Sequence, residues 1–331
     1  MTVGLRLAIP VLVVAAVASM PARVGAQAFT PPGGVGSVTL AWQWVDNTGH
    51  RLTDGFYVER GQSVSTSALG EVEYGITDRL AVSVGTPYVG AKYTGALPPP
   101  SGQSVDACQC WHSSFQDLAV SARYRFGSAL WALTPFTRLD LPTHDYNYQG
   151  EAVVGKNLRE FHVGLAGGLV FTELLPRMTV QATYAYTFVE QPLPDVPLDR
   201  STGGVEVGYP LARRWYVRGT GAWQYTHGGL RAGSPTGNPF PFPGELNTPE
   251  RRSQRDRLIK VKYWQVGGGV TYTAGPVDVF ASYSKYVWGR DAHNGSVYNL
   301  GVTYYFDVGR GMAAFETRAA PPGVHNTGRL H

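Results

Sequence analysis

The residues best suited to chemistry in this chain are its histidines, its two cysteines and a set of charged side chains that recur at alternate positions. Tyr225-Thr226-His227-Gly228-Gly229 sets a potential general base at the end of an alternating run. Acyl transfer also needs a nucleophile beside the base, and position 229 is Gly, with no hydroxyl. His144-Asp145 and His293-Asn294 are isolated loop pairs that do not converge on a metal-ligand spacing. Cys108 and Cys110 are the only cysteines. A bridge between such close neighbours closes a very small ring, so the expectation is a free or loosely coupled pair in an exposed loop. Two thiols alone are a weak metal site, and no cofactor is expected.

The charged set is more informative. Glu71, Glu73, Arg123, Arg125, Arg138, Asp140, Glu206, Arg218 and Asp278 all lie on the polar side of alternating segments. Charges at membrane depth survive where they face water or each other, so this parity points into the lumen of a closed sheet. One reading has Glu71 and Glu73 pairing with Arg123, Arg125 and Arg138 as a brace; the other makes the set a selectivity filter in a narrow pore. Strand number does not choose between them, because lumens of this size range from filled to open.

The elements that must hold these charges are strands. Period-two alternation marks 37–46, 65–76, 80–93, 115–126, 131–140, 160–171, 178–189, 202–209, 215–225, 261–272, 277–287 and 296–306. Tyr298, Leu300, Val302, Tyr304 and Phe306 oppose Val297, Asn299, Gly301, Thr303 and Tyr305 in the clearest of them. Short connections at 77–79, 127–130, 172–177, 210–214 and 273–276 alternate with longer ones at 47–64, 94–114, 141–159, 190–201, 226–260 and 288–295. A soluble sandwich has no reason for that alternation, whereas an outer-membrane barrel has short periplasmic turns and long external loops.

Aromatic spacing agrees. Trp215 and Trp223, Met178 and Tyr186, Trp264 and Tyr272, and Tyr298 and Phe306 each stand eight residues apart on one face. In a tilted strand that climbs about 20 Å, close to the apolar band between two aromatic girdles. The predicted fold is therefore an all-β, antiparallel up-and-down transmembrane barrel of about twelve strands, in one domain over 37–306.

The flanks read differently. Arg6, the apolar run Leu7 to Met20 and Ala26-Gln27-Ala28 form a secretory signal over 1–28, with cleavage after Ala26 or Ala28. The apolar run is too short for a spanning helix. Residues 29–36, with Pro31-Pro32-Gly33-Gly34, and 307–331 read as periplasmic segments. Removing the signal lowers the net charge from +4 to +2, too little to suggest nucleic acid. Hydrophobic and aromatic contents of 43% and 12% exclude general disorder.

In the external connection 226–260, Phe240 and Phe242 in a proline-rich run are candidate entry-site contacts. Arg251, Arg252, Arg255, Arg257 and Lys260 follow, and could meet lipid phosphate or form a solvated loop face. Twelve-stranded outer-membrane lipases and lipid deacylases use a His with a Ser two residues later; Gly229 occupies that place here, so a lipid hydrolase is the least favoured reading.

Glu71-Val72-Glu73-Tyr74-Gly75-Ile76-Thr77-Asp78-Arg79-Leu80, then Asp117-Leu118, Tyr124-Arg125-Phe126 and Leu139-Asp140-Leu141-Pro142-Thr143, resemble the barrel family of phenol meta-pathway transporters. The resemblance covers roughly 69–145, and His144 stands where that family usually has Gly. Asn299, Gly301, Tyr304 and Phe306 are similar to the signal such barrels present to the insertion machinery, here followed by a further tail. The resemblance implies passive uptake of small hydrophobic or aromatic compounds across the outer membrane. The expected partners are outer-membrane lipid, the insertion machinery and a small-molecule substrate. The alternative is a closed structural barrel that binds lipid or surface partners through its external loops, favoured if the lumen is plugged by side chains or by residues 29–36.

Overall fold

The structure, a computed structural model, describes residues 28–59, 61–95, 105–173, 175–231, 245–246 and 248–308. The signal segment up to residue 27, Phe240, Phe242 and the tail from 309 lie outside the described residues.

All strands join one antiparallel sheet. In chain order they are β1 (Val35–Arg51), β2 (Tyr57–Val58), β3 (Gln62–Gly75), β4 (Leu80–Thr94), β5 (His112–Phe115), β6 (Asp117–Tyr124), β7 (Phe126–Gly127) and β8 (Trp131–Pro142). The second half holds β9 (Glu160–Val170), β10 (Thr179–Val189), β11 (Arg200–Ala212), β12 (Trp215–Thr226), β13 (Lys262–Ala274), β14 (Val277–Arg290) and β15 (Ala292–Asp307). β5, β6 and β7 are consecutive pieces of one stave and β2 is a short rim strand, so the wall has twelve staves, as the alternation predicts. β15 pairs with β1 from Val35↔Asp307 to Arg51↔Ala292, which closes the cylinder. Two short helices, α1 (Pro249–Ser253) and α2 (Arg255–Leu258), lie in the longest connection.

Closure follows from the residues. Valines, tyrosines and other β-branched or aromatic residues favour the pleated backbone. Each strand puts its apolar parity outward: Leu40 is 65% exposed, Trp264 52% and Leu165 43%. The inward parity carries buried polar residues such as Thr134, His162, Thr187 and Thr202. That is the reverse of a water-soluble domain and matches a lipid-facing wall. No helix among the described residues is long and apolar enough to cross a membrane.

Turns sit at one end and long connections at the other. Gly275 and Pro276 join β13 to β14, and Gly275 takes a φ of +61° that a side chain would strain. One connection departs from the expected pattern. Residues 288–295 are not a long loop: β14 runs to Arg290 and β15 starts at Ala292. Asp291 makes the reversal with a φ of 49°, its backbone N–H donating to the Leu52 carbonyl and its carboxylate accepting from Thr53. The short polar side chain tolerates the left-handed conformation there, a turn that alternation alone does not reveal.

The apolar clusters lie in and above the lumen. Leu158, Val196, Leu198, Leu230, Leu246 and Leu258 form one among the loop-end connections. Ala28, Ala132, Ala166 and Phe29 form another inside the turn end.

An Arg placed on the outer face at mid-depth must shed its hydration into lipid. Leu165→Arg is expected to lower stability by about 2–4 kcal/mol in urea unfolding from lipid bilayers. An unchanged midpoint and slope would mean that this face does not meet lipid.

Candidate functional site

The nine charges read from parity do not gather into one cluster, and Glu71 borders the lumen cavity. Near the turn end, Arg123 on β6 forms an ion pair with Glu73 on β3. Glu206 and Arg218 face each other at 3.9 Å across β11 and β12. Asp278 accepts from the Thr273 hydroxyl at 2.6 Å and the Tyr305 hydroxyl at 3.0 Å. Arg125 stands apart: it follows the last residue of β6, and its guanidinium donates to the Asp78 carbonyl at 3.0 Å. It therefore clasps the 76–79 turn and makes no ion pair with a lumen acid among the described residues.

Arg138 also differs from the pairing envisaged with Glu71 and Glu73. Its nearest acid is two residues along the same face, and Nε donates to Asp140 Oδ1 at 2.7 Å. The other Asp140 oxygen lies 2.8 Å from His162 Nε2, and His162 Nδ1 lies 2.8 Å from the Thr187 hydroxyl. A neutral imidazole with its proton on Nε2 satisfies both contacts. Beside it, Arg200 donates two hydrogen bonds to Glu160. Glu160, His162 and Arg200 are lumen residues that the sequence reading missed. The signal was present: Glu160 and His162 share one parity of β9, and Arg200 begins β11.

Asp140, Glu160 and His162 bring three ligand atoms within 4.8 Å of one another. As a metal site the set is poor, because guanidinium groups already neutralise and hydrogen-bond both carboxylates. A cation would have to displace Arg138 and Arg200 and would feel their repulsion. The arrangement works instead as a charge-paired brace across β8, β9 and β11.

The loop end is filled by its own connections. In 226–260, Arg255 on α2 reaches Glu151 at 2.5 Å. Arg257 stacks over Tyr148 at 4.0 Å and donates to the Asn157 carbonyl at 3.1 Å. Arg251 pairs with Asp195, and Lys260 donates to the His227 carbonyl at 2.9 Å. Arg252's side chain lies outside the described residues. Most of this basic run thus ties loops together and turns inward. Glu151 and Ala152 in turn donate backbone N–H groups to Asp106, at 2.5 and 3.3 Å. Near Asp106, Cys108 and Cys110 form a disulfide with Cα atoms 5.2 Å apart. The expectation of a free or loosely coupled pair gives way to a bridge, and Gln109 between the two cysteines takes a φ of 50°.

The turn end is obstructed as well. Residues 28–34 do not trail away from β1. Gly33 N–H donates to the Asp78 carboxylate at 2.9 Å on the β3–β4 turn. On the opposite wall, Ala28 N–H donates to Gln181 Oε1 at 3.0 Å, and the Thr134 hydroxyl donates to the Ala28 carbonyl at 2.5 Å. Ala28 is fully buried. The segment is a strap across the mouth.

Between strap and loop plug remains a cavity of about 160 Å³, bordered by Leu69, Arg138, Lys156, Arg200, Tyr263 and Tyr286 among others. Lys156 points into it from a loop, and burial pushes its ammonium pKa down to about 8. Burial pushes the Asp256 carboxyl on α2 up to about 6, against the lowering influence of Arg255 and Lys156.

The remaining histidines are scattered. His144 Nε2 meets the Ser114 hydroxyl at 2.8 Å, and His293 lies tilted against His50 with ring centroids 4.5 Å apart. His227 does find a hydroxyl: Ser201, one strand over, lies 2.8 Å from its Nε2. Yet Ser201 is only 5% exposed, and Asp199 turns its carboxylate to the Tyr186 hydroxyl and the Val189 N–H, at 3.1 and 3.0 Å. Among the described residues His227 thus has a covered hydroxyl beside it and no carboxylate orienting its ring, which differs from the triad arrangement.

No protein-family model matches the chain, and no curated protein matches it in sequence. The family suggested by residues 69–145 is thus without support from sequence comparison. Among solved structures, the chain is similar to the COG4313 outer membrane channel from Pseudomonas putida F1, with 14% identity and a TM-score of 0.62, covering 84% of this chain and 97% of that one. The KdgM porin aligns at 10% identity over 82% of this chain and 99% of that one, with a TM-score of 0.41 that is too low to bear on function. The first likeness identifies the fold as that of outer-membrane barrels.

Removing one partner of a buried pair strands the other charge. Glu160→Gln is expected to cost about 3 kcal/mol of stability through the uncompensated Arg200, read as a shift in the urea midpoint. Glu160→Gln combined with Arg200→Met should recover most of that loss.

Proposed function

We propose that the protein is an outer-membrane channel for passive uptake of small hydrophobic or aromatic compounds, closed at rest by its own strap and loops. The observation that carries this reading is the cavity held between the two closures, in a barrel whose outside is apolar and whose inside is charged and polar. A barrel serving only as a wall has no need of a lumen space edged by Tyr263, Tyr286, Leu69 and paired charges. At about 160 Å³ the space is close to that of a cavity able to hold a single benzene-sized ring. The aromatic class itself comes from the resemblance of residues 69–145.

The paired charges set the character of the path. Arg138 with Asp140 and Arg200 with Glu160 present alternating signs and little net field, which suits neutral or weakly polar solutes better than ions of one sign. Uptake requires both closures to yield. The strap is held by a few hydrogen bonds at its two ends, and the loop plug by α2 and its neighbours.

Three outcomes follow. Protein reconstituted in liposomes should speed entry of phenol-sized solutes over empty vesicles, and deleting Ala28–Gly33 should raise ion conductance several-fold in planar bilayers. Arg138→Ala should change the selectivity of that conductance. The plugged lumen also favours the second reading, a closed barrel that binds lipid or surface partners. No flux from either the full chain or the strap deletion would select it.

The loop plug makes the channel sensitive to pH. Asp256 faces Arg255, Lys156, Asp106 and, at 3.8 Å, His293. Its docked pKa of about 6 lies above its ordinary 3.8, so docking is fully favourable below about pH 4 and weakens as pH rises through 6. Lys156 stays charged across that window and contributes no slope, whereas His293, pushed down from 6.5 to about 4 by burial, works against docking as pH falls through the same range. The Asp256 shift corresponds to about 3 kcal/mol. In His293→Gln, where the Asp256 contribution is no longer opposed, conductance is expected to fall as pH drops from 7 to 4.5, and Asp256→Asn should hold the low-conductance state at pH 7. A His293→Gln conductance flat across this range would remove Asp256 from the gate.

A further inference from the structure

We infer that the outer rim of β12–β14 is a binding site for a phosphorylated lipid headgroup of the outer leaflet, built from Lys262 and Arg290 with Lys260 beside them. The inference rests on the outer-membrane placement proposed above but not on transport.

The register supplies the geometry. Lys262 pairs directly with Tyr225 on β12 and with Arg290 on β14. Directly opposed residues of an antiparallel ladder share a face, with Cβ atoms about 5 Å apart. That face is the outer one. Tyr225 is 41% exposed, and the next outward row holds Trp264, paired with Trp288, both exposed. Lys262 Nζ sits 4.0 Å from the Tyr225 ring centroid, and the Arg290 guanidinium lies over Trp288 at 5.8 Å. Lys260 is fastened nearby through the His227 carbonyl, and the His227 ring sits tilted against Tyr225 with centroids 5.2 Å apart. Three cations therefore stand on an aromatic row at the loop end of the wall, where headgroups begin. The aromatic rings suit the boundary between acyl chains and headgroups.

These cations are available to a ligand. Among the described residues, neither Lys262 nor Arg290 forms an ion pair with an acid. The acids of the same rim have other partners: Asp199 accepts from Tyr186 and Val189, Asp46 accepts from Gln62 at 2.7 Å, and Asp54 accepts from the Phe56 N–H at 3.0 Å. Two adjacent cations next to lipid with no protein anion opposite them are unfavourable unless the bilayer supplies one. A guanidinium and an ammonium side by side suit a phosphate oxygen set, the first by its fork and the second as a point charge. Within the basic run 251–260, Arg255 and Arg257 turn inward; the lipid-facing cations lie on the strands that follow.

The test uses purified full-length protein in detergent, presented with diphosphorylated lipid A and read by native mass spectrometry. Wild type should retain the glycolipid, and Lys262→Gln with Arg290→Gln should retain it about ten-fold less per charge removed. Equal retention by the double variant would overturn the site. So would equal retention of fully dephosphorylated lipid A by wild type, since acyl-chain adhesion alone would then account for binding. The wild-type comparison decides even if the double variant fails to fold. Lys262→Arg with Arg290→Lys, which keeps both charges, should bind within a few-fold of wild type. Because retention is read without flux, a protein that transports nothing can still pass this test.

Discussion

Every backbone N–H and C=O that crosses hydrocarbon must find its partner within the protein, because lipid offers none. In this chain the condition is met by the ladder between β15 and β1, which turns an open sheet of twelve staves into a cylinder. All else depends on that seam. It forces the two side-chain parities to face different solvents, which is why exposed leucines and tryptophans coat the outside while threonine, histidine and paired charges crowd within.

Inside, the enclosed charges would repel the fold if left alone. The observed solution is local: Arg138 with Asp140, Arg200 with Glu160, Arg123 with Glu73. Each pair joins residues two apart on one strand or on strands not far apart in the wall, so the lumen is cross-tied in several directions. The loop plug repeats the principle through Arg255 and Glu151. A site of this kind favours stiffness over affinity, and it leaves a small chamber whose polarity is balanced. Among the described residues these charges serve each other, and none of them is poised behind His227.

Alternation made most of the wall legible. The staves, their order and the outward face all follow from period two, because every second residue must satisfy the same solvent. What escaped was held by contacts far apart in sequence. Residues 288–295 look like a loop because Asp291 is an unusual turn residue, stabilised by Leu52 and Thr53 from another connection. Arg138 was assigned to the wrong acids because parity says which face a charge occupies but not its neighbour across the lumen. Glu160 and His162 sit at the rim of a strand whose apolar face is plain, and their roles emerge only when Arg200 and Asp140 are brought beside them. The inward turn of 226–260 has no local signature at all. Its leucines, Leu246 and Leu258 among them, read as ordinary loop residues until they meet Leu158 and Val196.

The seam has a bearing on how the molecule is made. Thr39 and Thr303, joined by their hydroxyls, are 264 positions apart. Most neighbouring staves can zip locally as hairpins, but this last pairing brings together the two extremes of the wall and carries the largest single loop-closure cost. Until β15 is synthesised and in place, β1 and β14 each expose a raw edge able to capture other strands. Maturation should therefore be all-or-none, governed by the arrival of the final strand, with earlier species aggregation-prone and dependent on escort through an aqueous compartment.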